Sequence, residues 1–261
     1  MASQGVAEPR FVAREFALSA EEQRLFAFLL DVVRERCPGV ELRVAGGWVR
    51  DKLMGRESHD VDIALNVVAR HFVEHVNAAL EARHEERHSV GLIKSRPELS
   101  KHLETATTRI LGFLVDFVHL RRDDVTAVDA GGEATAAHVG TAREDALRRD
   151  LTVNALFYHV NLDRVEDWSG RGIDDLRQRR LCTPLSAHIT WSDDPCRVLR
   201  AIRFQAKLGF TLAPELLAEA RAPALRQALM HSISRERIGK ELLHMLHGTL
   251  SHLLLFIMLL S

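Results

Sequence analysis

Apolar positions recur at helical spacing over residues 20–36, where Leu25, Phe28, Leu29, Val32 and Val33 share one side. Ser19 and Glu22 stand at capping-box spacing at its start. Next, "VELRVAGG" reads as a strand ending at Gly46 and Gly47, "WVRDKLMG" as a short helix closed by Gly55, and "DVDIAL" as a second strand. Residues 67–83 form another amphipathic helix, and "GFLVDFVHL" (Gly112 to Leu120) an apolar-rich strand. The stretch ending "TAREDALRRDLTVNALFYHV" is expected to begin as a loop and turn helical around Thr141. From Asp193 onward, "DDPCRVLRAIRFQAKLGF", "APELLAEARAPALRQALM" and "SRERIGKELLHMLHG" are all expected to be helical. Strands followed by a helical run predict an α/β head and an all-α continuation, with the seam near residues 181–188. Neither repeats nor low-complexity segments interrupt the pattern.

Composition narrows the class. At 261 residues, 46% hydrophobic and 27% charged, the chain has room for one large core or two smaller ones. Three scattered cysteines (Cys37, Cys182, Cys196) without CxxC spacing argue against a disulfide framework or zinc knuckle and favour an intracellular compartment. A net charge of −1 carries no global nucleic-acid signature, so any RNA contact must come from local basic patches. The N-terminus lacks the apolar core of a secretory signal and leaves a mitochondrial leader open. Near the other end, "LLLFIML" (Leu253 to Leu259) falls short of the ~20 apolar residues that span a bilayer. It reads as a buried helix lacking its partner, and no membrane association is expected.

The chemistry concentrates in "GGWVRDKLMGRESHDVDI" (Gly46 to Ile63). Asp60 and Asp62 alternate out of one strand to the same side, where two carboxylates repel unless a cation lies between them. Hard oxygen donors suit Mg²⁺, which is commonly held by one or two carboxylates plus substrate phosphates. A bare acid-x-acid can equally be the polar face of an edge strand. Gly46 and Gly47 add amides at a helix start and room for close approach by a phosphate, and Arg50 adds positive charge. Phosphate cradle and metal carboxylates thus belong to one nucleotidyl-transfer site. Asp116, central in its apolar strand, is the candidate third carboxylate; a strand acid paired with an arginine is the alternative.

This stretch resembles the signature of the class II tRNA nucleotidyltransferases, the CCA-adding enzymes, and of the related bacterial poly(A) polymerases, within the polymerase-β-like superfamily. Further blocks follow in order. "RRDLTVNAL" (Arg148 to Leu156) resembles the RRD-x-T-x-N-A block, "DWSGRGIDDL" the flexible segment, "DDPCRVLRAIRFQAKLGF" the ED-x-x-R neck motif, and "RERIGKEL" (Arg235 to Leu242) the last motif. "HSVGLIKSRPELSKHLETATTRI" is similar to eukaryotic members in particular.

The resemblance implies a polymerase-β-like head with a mixed sheet over residues 1–182, a helical neck over 183–247, and an atypical apolar tail over 248–261 in place of body and tail domains. It implies that Asp60 and Asp62 hold Mg²⁺, with Asp116 beside them. Arg149, Asp150 and Asn154 contact the sugar and phosphates, and Asp194 and Arg197 read the base. Asp194 and Arg197 are three apart, which on a helix gives one face. An acceptor beside a guanidinium fork matches the edge of cytosine and, after a shift, of adenine. Alone, the same spacing describes a helix salt bridge. Asp193 stands where many bacterial members carry Glu.

The implied activity is template-independent addition of CCA to the 3′ end of tRNA from CTP and ATP, with pyrophosphate leaving. The alternatives are an ATP-only poly(A)-type polymerase and a truncated nucleotide- or RNA-binding product. Expected partners are tRNA and the two nucleotides, without a stable protein partner, in cytoplasm, nucleus or mitochondrion.

Two further patterns carry less. "HEERH" (His84 to His88) matches a zinc-protease pattern, but its charged flanks read as the polar end of a surface helix. Arg197, Arg200, Arg203 and Lys207 share one helix face, opposite Val198, Leu199, Ile202 and Ala206. That stripe is either a basic wall toward phosphates, the reading favoured by its neighbours, or a solvated face. Arg177, Arg179 and Arg180 read as a solvated cluster.

Overall fold

A computed structural model describes residues 7–58, 60–83, 91–93, 105–122 and 139–246. The chain divides into two compact units. One comprises Pro9–Asp145 and Leu156–Trp168; the other comprises Met1–Glu8, Ala146–Ala155 and Ser169–Ser261. This division differs from a boundary at 182/183, because residues 146–155 and 169–182 group with the helices.

The first unit is built on an eight-stranded mixed sheet. In chain order its elements are β1 (Arg10–Ala13), α1 (Ala20–Arg36), β2 (Leu42–Ala45), α2 (Gly47–Leu53), β3 (Val61–Leu65), α3 (Ala69–Ala82), β4 (Gly91–Ile93), β5 (Thr105–Ile110), β6 (Phe113–His119), β7 (Leu156–His159) and β8 (Arg164–Asp167). The strand order is β1-β8-β7-β2-β3-β6-β5-β4. β3 and β6 run parallel, whereas the other pairs of this sheet are antiparallel. The apolar faces of α1 and α3 supply much of the core: Leu25, Phe28, Leu29, Val32, Phe72, Val76 and Leu80 are all buried.

The expected capping box forms. Glu22 N donates to Ser19 Oγ at 3.2 Å, and Ser19 N donates to Glu22 Oε2 at 2.8 Å. The other oxygen of Glu22 accepts from Lys52 Nζ at 2.8 Å and from Trp48 Nε1 at 3.2 Å. One carboxylate therefore caps α1 and fastens it to α2. Trp48 in turn stacks on Tyr158, with ring centroids 5.8 Å apart.

Three strands expected from sequence (β2, β3, β6) are present, but the stretch after Thr141 is corrected. Helix α4 (Ala142–Leu147) stops early, a 3₁₀ turn covers Thr152–Asn154, and β7 follows. Leu156, Phe157, Tyr158 and His159 are all buried between β2 and β8, so a run of consecutive large side chains replaces the alternation that marks a half-exposed strand.

The second unit contains α5 (Gly172–Arg177), β9 (Arg180–Leu181), α6 (Ala187–Asp193), α7 (Cys196–Leu208), β10 (Thr211–Leu212), α8 (Pro214–Ala220), α9 (Pro223–Ser232) and α10 (Arg235–Leu246). The RRD block is tied in by Thr152, whose N–H donates to Cys182 O at 2.9 Å and whose hydroxyl donates to Asp175 Oδ2 at 2.8 Å. The expected continuous helix from Asp193 is in fact broken. Asp194 is extended (φ −145°, ψ 99°), because the residue before a proline is driven out of the helical region. Gly209, in the left-handed conformation, ends α7.

His84–His88 and the tail from His247 lie outside the described residues. Among the described residues no helix is long and apolar enough to cross a membrane.

Candidate active site

Asp60 and Asp62 flank buried Val61 and are both exposed, so they project away from the core as strand alternation requires. Asp62 is in direct register with Asp116 on the neighbouring parallel strand β6. Paired residues of adjacent strands face the same way, which sets the two carboxylates side by side. Val115 and Phe117, on either side of Asp116, are buried on the opposite face. Thr107 of β5, the register partner of Asp116 on the other flank, donates its hydroxyl to Asp116 Oδ1 at 2.5 Å.

Among the described residues, no group of three or more His, Cys, Asp or Glu side chains is gathered closely enough to hold a metal unaided. Adjacent carboxylates with an open side nevertheless fit a hard cation that completes its shell with phosphate oxygens and water.

Upstream, Gly46 joins β2 to α2 at φ 64° and ψ −112°, a conformation open to glycine but strained for any residue with a Cβ. Its own N–H is used by Leu156 O at 2.9 Å, and its carbonyl accepts the first helical bond, from Arg50 N at 3.1 Å. The first-turn amides of Gly47, Trp48 and Val49 precede that bond. Arg50 is 3% exposed and grips Asp51 in a fork, Nε to Oδ1 and Nη2 to Oδ2, each 2.9 Å. Its charge is therefore matched inside the fold, which tempers the expectation of a cation held ready for phosphate.

In the helical unit, buried Asp150 is enclosed by donors. Arg200 places Nε and Nη2 on Oδ2, both at 2.8 Å, while Oδ1 accepts from Leu151 N at 2.8 Å and Asn154 Nδ2 at 3.2 Å. Burial alone would raise the Asp150 pKa. Arg200, Asn154 and Arg197 together outweigh it and hold the carboxyl below its ordinary value. Arg149 Nη1 donates to Asn154 O at 3.2 Å, closing the turn.

Asp194 and Arg197 do not pair with each other, so the helix salt bridge that their spacing describes on its own is not what the structure holds. With the helix broken at Pro195, Arg197 pairs with Asp193 at 2.8 Å and donates to Thr190 O at 3.0 Å. Asp194 instead accepts from Cys196 N at 3.1 Å and from Arg237 Nη2 of α10 at 2.6 Å. Farther along α7, Arg203 donates to Glu241 at 2.6 Å and lies 4.3 Å from the Phe204 ring centroid. Arg197, Arg200 and Arg203 thus each meet an acid, and the stripe is an ion-pair lattice more than a bare basic wall.

Residues 42–182 match the family described as the poly A polymerase head domain. The chain belongs to that family. It is 46% identical over 212 residues to the mitochondrial CCA tRNA nucleotidyltransferase of Saccharomyces cerevisiae, covering 79% of this chain and 38% of the relative. It is 45% identical over 208 residues to tRNA nucleotidyltransferase cca1 of Schizosaccharomyces pombe, covering 79% and 41%. The CCA-adding enzyme of Bacillus stearothermophilus, solved in complex with CTP, superposes with a TM-score of 0.65 at 26% identity, covering 90% of this chain and 50% of that one. The chain spans about two-fifths of the length of these yeast relatives. The resemblance and the fold class read from the motifs are both borne out: the mixed sheet is the polymerase-β-like head of the poly A polymerase head-domain family.

The structure places Asp62 and Asp116 in register and Asp60 just before β3, whereas sequence reasoning missed Asp193, Arg237 and Glu241 as ion-pair partners. Pro195 was the available signal for the first, since it forces Asp194 off the helix. Arg237 and Glu241 stand four apart on α10 with opposite charge, a spacing that marks one helix face but does not say what it meets.

Proposed function

We propose that the chain supplies the nucleotidyl-transfer part of a tRNA CCA-adding enzyme, extending an RNA 3′ end with CTP and ATP. The placement of Asp62 beside Asp116 on parallel strands, with Asp60 two residues earlier on the open side, carries this reading. Asp60 and Asp62 would hold Mg²⁺. When bound, Mg²⁺ supplies charge that stabilises the attacking and leaving oxygens of an in-line displacement. The RNA 3′-hydroxyl attacks the α-phosphorus and pyrophosphate leaves.

Arg149, Asp150 and Asn154 serve the nucleotide's sugar and phosphates from a turn fixed by Arg200. Asp194 and Arg197 present the acceptor and donor edge to the base. Both are oriented by other groups and not by each other, which leaves their remaining hydrogen-bonding positions to the base. The compartments proposed are those of tRNA maturation: cytoplasm, nucleus and mitochondrion.

The test is incubation with Mg²⁺, labelled CTP or ATP, and tRNA lacking its CCA end. Incorporation of both nucleotides supports the reading. ATP alone indicates the poly(A)-type alternative, which the family description keeps in view, and neither, with nucleotide binding intact, indicates a binding protein. Asp60→Ala with Asp62→Ala should lower incorporation about a thousandfold or more. Thermal stability should stay within about 0.5 kcal/mol, because both side chains are exposed. Unchanged incorporation would remove the metal assignment.

A further inference from the structure

Asp194 sits extended in the break between α6 and α7, and its carbonyl accepts from Arg197 N at 3.0 Å. Two groups hold its carboxylate: the Cys196 amide on Oδ1 at 3.1 Å and the Arg237 guanidinium on Oδ2 at 2.6 Å. Arg237 comes from α10, whose start is fastened by Ser234, with Arg237 N donating to Ser234 Oγ at 3.3 Å. Four residues on, Glu241 takes Arg203 at 2.6 Å and lies 3.8 Å from Arg200. One face of α10 therefore reaches both the break before α7 and the middle of that helix, with a cation at Asp194 and an anion at Arg200 and Arg203.

Resting on the base-reading role proposed for Asp194, we infer that Arg237 is a positioning residue for nucleotide selection. It fixes the plane of the Asp194 carboxylate and so decides which base edge the pair Asp194 and Arg197 accepts. A carboxylate on a non-helical residue can rotate about two bonds, and an acceptor free to rotate receives equally well from many donor arrangements. Fixed by Arg237, it keeps one set of lone pairs for an exocyclic amine, which cytosine and adenine carry and uracil lacks. Arg237 needs no contact with the nucleotide to have this effect.

The experiment measures Mg²⁺-dependent binding of CTP, ATP and UTP to the full chain by isothermal titration calorimetry. The proteins are the wild type, Arg237→Ala, Arg237→Lys, and Asp194→Asn as a control. Loss of a charge-assisted hydrogen bond predicts that Arg237→Ala weakens CTP and ATP by about tenfold while leaving UTP nearly unchanged, so that selectivity collapses. Arg237→Lys, which keeps the charge without the fork, should restore part of the preference.

A purely structural role would weaken all three nucleotides together and lower the melting temperature. If Arg237→Ala keeps the CTP-to-UTP ratio while Asp194→Asn loses it, base reading stands and the positioning role is overturned. If Asp194→Asn also keeps the ratio, the base-reading assignment itself falls, and the inference falls with it. Should Arg237→Ala fold too poorly to titrate, Arg237→Lys decides by the same ratio: unaltered selectivity sinks the inference and reduced selectivity upholds it.

Discussion

Replacing Arg200 with methionine should change how stability depends on pH, and not merely reduce it. Asp150 is only 6% exposed and receives two Arg200 contacts at 2.8 Å. Methionine preserves much of the stem volume and removes the countercharge. Stripping one partner from a buried ion pair costs about 3–5 kcal/mol, but the Arg200 side chain is 37% exposed and solvent screens part of the interaction. A loss of about 2–3 kcal/mol at pH 7 follows, a large share of the roughly 5–15 kcal/mol that holds a domain together.

The sign with pH then reverses. In the wild type the folded pKa of Asp150 lies below its ordinary 3.8, so its contribution is present above that value and is lost as pH falls through the lower folded one. Without Arg200, burial is the largest influence left on Asp150, opposed by Asn154 and Arg197, and the folded pKa is expected to move above 3.8. The variant is then penalised as pH rises through that region and recovers on acidification. Urea unfolding at pH 7 and pH 5, followed by circular dichroism, measures both effects. Hydrogen exchange at the Leu151 amide, which donates to Asp150 Oδ1 at 2.8 Å, reports locally. A loss below about 1 kcal/mol, or an equal loss at the two pH values, would refute the argument.

Two other expectations follow from single residues. Gly46→Ala places a Cβ on a backbone at φ 64° and ψ −112°, and should cost about 1–3 kcal/mol in chemical denaturation; a neutral result would mean the β2–α2 turn relaxes freely. Burial and the adjacent Asp175 push the Cys182 thiol up to about 12. Iodoacetamide at pH 8 should therefore leave Cys182 unmodified in the folded protein and label it in urea, as peptide mass mapping would show.

The sequence made the strands carrying Asp62 and Asp116 readable, because each is a short apolar run punctuated by an acid and bounded by glycine or polar residues. It did not reveal that Asp62 and Asp116 are register partners. Parallel pairing across the intervening α3, β4 and β5 leaves no local trace. β7 was hidden for a related reason: "LFYH" is buried between two strands and shows neither period 2 nor period 3.6. Charge partners were the least legible. Helix spacing alone sets Arg197 beside Asp194, but with Pro195 breaking the helix Arg197 pairs with Asp193, and α10 supplies the partner of Asp194 from a distant part of the chain.

The way the chain weaves between its two units limits how evolution or an engineer can recombine them. It crosses from one to the other at 8/9, 145/146, 155/156 and 168/169, so no single cut separates the sheet from the helices. A break at 182/183 would give one fragment Asp150 and the other Arg200. The first would carry a buried carboxylate without its cation, and neither could be exchanged as a cassette. Variation in this chain is better sought in side chains than in domain shuffling, because the ion pairs around Asp150 and Asp194 draw on stretches that must be inherited together.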